Sequence, residues 1–166
     1  ENVAYLYKTL AETVSSAEYV HSKAKVNKSR MLYPTTELGR SLNTIAELIT
    51  AGVSTNVYYV SLSGFDTHIR QNDQQDRLLR QYAEAVSIFV NDLKSNSRLD
   101  DVMVLTFSEF GRRVRQNASN GTDHGTGGGM AILSNVVDLP EMIGELSPST
   151  DARNWITPRI DARSVW

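Results

Sequence analysis

The sequence contains no cysteine. Disulfides, thiolate metal sites and a cysteine nucleophile are thereby excluded, and any metal must be held by His, Asp, Glu or hydroxyl oxygen. Charge of one sign is also lacking. A formal net charge of -2 gives no electrostatic case for nucleic acid or for an anionic membrane as partner. The one basic stretch (Lys23, Lys25, Lys28, Arg30) has no interleaved aromatics on which bases would stack. No run approaches the roughly 20 apolar residues of a membrane span, so none is expected. Histidine is scarce: the chain has three, His21, His68 and His124.

What is present suits a globular protein. A chain of 166 residues, 40% hydrophobic and 22% charged, can bury a real core. It is expected to form a single domain over residues 1–166. It begins at Glu1 without a Met and enters helical sequence at once, so a longer parent protein is expected.

Residues 2–22 have Val3, Leu6, Leu10, Val14 and Tyr19 at roughly helical spacing, with His21 near the end as a solvated last-turn residue. Residues 22–34 are polar and basic and read as a mobile connector. Thr36 caps a second helix, whose Leu38, Leu42, Ile45 and Ile49 form one stripe and which Gly52 stops. A third helix covers 73–95, capped by Asn72 or Asp73, with Leu79, Tyr82, Val86, Phe89 and Leu93 on its apolar face. Between the last two helices, 56–62 is short, β-prone and without alternation, which suits a strand buried on both faces. A second such strand is 102–107, and a third begins at Met130 and extends toward Val137. A long polar loop joins the last two, and the tail from Pro140 is irregular.

Strand, helix, strand is a unit that makes its two strands parallel. The fold class expected is therefore α/β, a mostly parallel sheet covered by helices. No helix separates the second strand from the third, which favours an antiparallel return for the third. That connectivity brings two clusters to one sheet edge: Gly64-Phe65-Asp66-Thr67-His68 and Gly121-Thr122-Asp123-His124-Gly125. Asp66, His68, Glu109 and His124 then share a polar pocket, a donor set that suits a divalent metal. Zn accepts such nitrogen and carboxylate ligands, and Mn or Fe tolerates them too. Duller roles exist for each residue: a turn at Asp66, a loop histidine at His68, a Glu109–Arg112 ion pair, an Asx turn at Asp123.

Ser-Gly-Phe-Asp-Thr-His at 63–68, a helix, Leu-Thr-Phe-Ser-Glu-Phe-Gly-Arg at 105–112 and Gly-Thr-Asp-His-Gly at 121–125 together resemble the bacterial DUF1501 family. Tyr33-Pro34 leading into Leu38-Gly39-Arg40 fits as well, and the resemblance runs over roughly residues 32–145. It implies a place in the alkaline phosphatase and sulfatase-like superfamily, with this chain an incomplete C-terminal portion of a larger α/β domain. It implies a metal-dependent hydrolase acting on a small anionic phosphate or sulfate ester. It implies Asp66, His68 and His124 as ligands of one metal, and Glu109 as ligand of a second or as orienter of water. Arg112 would hold an anionic oxygen of substrate, and Asp123 would orient His124 from behind. Where relatives carry an Asp-His pair, this chain has Glu109-Phe110, and Phe110 cannot bind metal. The superfamily nucleophile, a Ser or Thr, belongs to sequence that this chain does not show. Many relatives are exported, which implies a periplasmic or secreted site. The alternative is a non-catalytic exported protein that keeps the fold and at most a structural metal.

Overall fold

The computed structural model describes residues 2–136. Val137 and the tail from Pro140 lie outside them. The elements are α1 (Asn2–Val26), α2 (Glu37–Thr50), α3 (Gln71–Ser95), a short 3-10 turn (Leu99–Asp101), and the strands β1 (Val104–Thr106), β2 (Gly111–Gln116), β3 (Thr122–Gly125) and β4 (Ala131–Leu133). The fold is mixed α/β. The chain divides into two compact units, Glu1–Leu62 with Gln81–Arg98, and Ser63–Arg80 with Leu99 onward.

In the first unit, α2 starts where its cap predicts. The Thr36 side chain accepts a hydrogen bond from the Gly39 backbone N–H at 3.1 Å. Gly52 ends it with φ +69, a conformation that costs a glycine nothing. Leu38, Leu42, Ala46, Leu48 and Ile49 are buried. From α3 the unit takes Ala85, Val86, Phe89 and Leu93, all buried. The apolar face of α3 begins at Leu78, 4% exposed, rather than at Leu79, which is 49% exposed. Spacing alone favours neither, since the two stand side by side on the helix and Tyr82 lies within a turn of both. The apolar residues of α1 form no buried stripe: Val3, Leu6, Leu10, Val14 and Tyr19 are all exposed.

The connector is anchored, contrary to a mobile reading. Helix α1 extends to Val26. Beyond it, Ser29 Oγ donates to Asp92 Oδ2 at 2.6 Å and the Tyr33 hydroxyl donates to the same oxygen at 2.9 Å. Asn96 Nδ2 donates to Asp92 Oδ1 at 3.0 Å. Asp92 is only 3% exposed, and these donors are what make its burial tolerable. Burial, then the Asp92 hydrogen bond, raise the Tyr33 pKa far above its ordinary range, so its hydroxyl remains a donor.

The expected strand at 56–62 is absent as a ladder. Its exposure alternates, with Val57 80% and Tyr59 79% exposed and Tyr58 and Val60 half-buried. A strand buried on both faces would show no such alternation. Every ladder among the described residues is antiparallel: β1 with β4, and β2 with β3. The antiparallel return of the third strand is found, with Val104 opposite Leu133 and Thr106 opposite Ala131. The expected long polar loop is instead the β2–β3 hairpin. Its glycines allow close approach: a Cβ on Gly111 would meet the Gly127 backbone, where Arg112 N–H donates to the Gly127 carbonyl at 2.7 Å.

Candidate metal centre

All the residues of the candidate site belong to the second unit. Segment 63–70 and the hairpin build it together. Helix α3 opens at Gln71, two residues before the expected Asp73, after Arg70 at φ +48. The Arg70 and Gln71 N–H groups donate to the carbonyls of Ser119 and Asn120 at 3.1 and 2.9 Å. The hairpin turn thus accepts from the first helical N–H, that of Gln71, and from the residue before it. Thr122 Oγ1 donates to Gln71 Oε1 at 3.0 Å, a second tether between the same elements.

At the turn, Asn117 Oδ1 accepts from the N–H groups of Ser119 and Gly121 at 2.9 and 3.0 Å. Its Nδ2 donates to the His68 carbonyl at 3.0 Å and to Asp123 Oδ1 at 3.2 Å. Gly121 lies against His68 so closely that a Cβ there would come within 2.2 Å of the His68 carbonyl carbon and oxygen. The missing side chain at Gly121 is what lets the two clusters meet.

Asp66 Oδ1 is the centre of the group. It lies 2.7 Å from His124 Nε2 and 3.0 Å from His68 Nε2. One donor atom from each of Asp66, His68 and His124 falls within 4.8 Å of the others. The two imidazoles face each other with centroids 4.9 Å apart. Asp66 is exposed, and its pKa is lowered below the usual carboxylate range, chiefly by the hydrogen bond with His124. Between Asp66 and His68, Thr67 points the other way. It is 2% exposed and its Oγ1 donates back to the Phe65 carbonyl at 3.4 Å, so its hydroxyl does not face the group.

The remaining candidates take other places. Asp123 supports His68, the residue across from it in space, rather than its neighbour His124: its Oδ1 is 3.4 Å from His68 Nδ1. Successive residues of a strand point to opposite faces, which separates Asp123 from His124 on β3. Arg113 Nη1 lies 3.6 Å from Asp123 Oδ2. The Asp123 pKa is lowered, first by the Asn117 hydrogen bond. Arg112, in register with His124 across the hairpin, donates through Nη1 to the Thr122 carbonyl and through Nη2 to the Phe65 carbonyl. The same Nη2 is 3.5 Å from Asp66 Oδ1. Its guanidinium thus stitches the two clusters together. Glu109 is exposed and stands outside the cluster of three. Beside it Phe110 stacks on the His124 ring at 4.1 Å and 17°, with the Arg112 guanidinium 4.9 Å from the Phe110 centroid.

Sequence reasoning placed Asp66, His68, Glu109 and His124 in one pocket; Asp66, His68 and His124 are together, and Glu109 is not among them. That reasoning missed Asn117, although an Asn a few residues before Asn120-Gly121 is a turn signal that could have shown it.

The donor set fits one divalent ion. It offers a carboxylate oxygen and two imidazole nitrogens, close enough to converge, and His68 has the carboxylate behind its far nitrogen that metal-binding imidazoles commonly have. Among the described residues, no helix is long and apolar enough to cross a membrane. No curated protein and no solved structure matches the chain. Residues 11–145 match the family described as "Protein of unknown function (DUF1501)". With the match covering most of its length and both histidine clusters inside it, the chain belongs to the DUF1501 family.

Proposed function

We propose that this chain carries the metal-binding portion of a metal-dependent hydrolase of phosphate or sulfate esters, of the alkaline phosphatase and sulfatase-like kind, with a larger, mostly parallel α/β domain as its setting. The observation that supports this reading is the convergence of Asp66, His68 and His124. These three residues would hold one ion, with Zn favoured by the nitrogen-rich set and Mn or Fe also compatible. Such an ion would act as a Lewis acid on an ester oxygen. The chain's own groups do the rest. Asp123 holds His68 from behind. Arg112 fixes Phe65 and Thr122, the residues before Asp66 and two before His124. It also keeps a positive charge at the site that an anionic ester would meet. Glu109, exposed and next to the Phe110 that stacks on His124, would be the group to orient water. Export, as in a periplasmic or secreted protein, goes with this reading.

A second reading has a specific observation behind it. Phe110 covers the face of His124, and the Arg112 cation lies beside Asp66, where it opposes an incoming metal ion. Both features suit a non-catalytic protein with at most a structural ion. Calorimetric titration of the chain with ZnSO4, and assays of the full-length protein with p-nitrophenyl phosphate and p-nitrophenyl sulfate, separate the readings. The hydrolase reading expects one bound ion and turnover, both lost in His124→Ala. Binding without turnover of either ester supports a non-catalytic protein with a structural ion, and absence of binding sinks the hydrolase reading and leaves a non-catalytic protein without an ion.

A further inference from the structure

We propose that Asn117 is a positioning residue of the metal centre: its amide holds the Asp123 carboxylate and the His68 backbone in one arrangement, so that His68 presents Nε2 to the ion. The proposal rests on the metal reading above and adds a residue to which that reading gave no role.

The orientation of the Asn117 amide is decided by its partners. Backbone N–H groups only donate, so the atom that meets Ser119 N and Gly121 N must be the oxygen. Both hydrogens of Nδ2 are then committed, one to the His68 carbonyl and one to Asp123 Oδ1. A single side chain thereby fixes His68 at its backbone directly and at its ring through Asp123.

Binding an ion then selects the tautomer. Nε2, 3.0 Å from Asp66 Oδ1, would give its lone pair to the ion. The ring's one proton would then sit on Nδ1, 3.4 Å from Asp123 Oδ1, and an ionised carboxylate accepts it. A metal ligand must offer that lone pair, and a carboxylate behind the other nitrogen both orients the ring and raises its basicity. The Asn117 hydrogen bond also keeps Asp123 Oδ1 turned to the His68 side. Without it Asp123 has freedom to turn toward Arg113, 3.6 Å from its other oxygen.

The test separates this role from a merely structural one. Asn117→Asp keeps an oxygen to accept from Ser119 and Gly121 but removes the donor to Asp123 and His68. Zinc affinity is measured by titration of the full chain with ZnSO4 in wild type, Asn117→Asp, Asp123→Ala and the double variant. The proposal expects Asn117→Asp to weaken zinc binding by about tenfold or more, and by clearly less when Asp123 is already Ala, where only the bond to the His68 backbone is left to lose. Nitrogen-15 spectra of the zinc-loaded protein provide the second readout: the His68 Nδ1 proton, held by Asp123 in wild type, exchanges faster with solvent in Asn117→Asp. Unchanged zinc affinity in Asn117→Asp overturns the positioning role and leaves the metal reading standing. Equal losses with and without Asp123 also overturn it, because Asn117 would then act on the turn alone. A wild-type chain that binds no zinc removes the metal reading and the positioning role together.

Discussion

Two residues with opposite chemistry decide whether the clusters meet. Gly121 contributes by having no side chain. Its replacement by Ala puts a methyl group into the His68 carbonyl, and the clash is with backbone, which cannot rotate away. Gly121→Ala is expected to cost about 1–3 kcal/mol, read by urea denaturation, and to weaken zinc binding because His68 is the group displaced. A variant as stable and as tight in zinc binding as wild type would show that the contact relaxes freely. Asp66 contributes by charge. Its pKa is lowered in the folded chain, first by His124, so the folded state binds its proton less readily than the unfolded state does. The sign follows: stability from Asp66 is complete above the unfolded value of about 3.9. It is lost as pH falls from there through the lowered folded value. Asp123, lowered first by Asn117, acts in the same window. Melting temperatures of the metal-free protein between about pH 6 and pH 2.5 check this: wild type should lose stability on the acid side, and Asp66→Asn should lose less.

Among the elements, legibility followed the pattern of apolar residues. Helix α2 was readable from its cap, its stripe and its glycine stop, because each feature has a local cause. The β2–β3 hairpin was not. Its strands carry Arg112, Arg113, Arg115 and Gln116, so there is no alternation of apolar and polar residues to announce them. The Asn120-Gly121 turn was the available signal, and Asn120 does adopt φ +57 there. The anchoring of residues 29–33 was invisible for another reason: it depends on Asp92, about sixty positions away, a residue that local patterning leaves unexplained. That buried carboxylate makes a strong prediction. Asp92→Ala leaves the Ser29 and Tyr33 donors without their acceptor and Asn96 with the Asp92 carbonyl alone, at a cost of roughly 2–4 kcal/mol. Asp92→Asn, which retains an oxygen, should cost less. Equilibrium denaturation of the two variants checks the order, and equal stability of Asp92→Ala and wild type would mean that the connector is held by something else.

For the whole molecule, the order of motifs said more than the expected sheet did. Asp66, His68 and His124 converge, yet not at the shared edge of parallel strands: a hairpin and an ordered segment before α3 bring them together. Chemistry-bearing residues were legible because their types are rare in this chain, whereas the ladders depended on pairings over long separations. The division into two units then sets what metal binding should do. An ion held by Asp66, His68 and His124 stabilises the state that contains the site, by about 2.7 kcal/mol at a free concentration of 100 Kd. That limits the slowing of hydrogen exchange to about 100-fold, wherever exchange requires the site to open. The amides of Thr67, Arg70, Gln71, Arg112 and Asn117, bonded within the second unit, are expected to slow when ZnSO4 is added. The amides of Ala51 and Val53, bonded to α2 in the first unit, are expected to exchange as before. Equal slowing in both sets would mean that the two units open together as one cooperative block. Slowing in neither would place any bound zinc away from the hairpin, and the three residues would then be a hydrogen-bonded cluster that holds Asp66 against two imidazoles and nothing more.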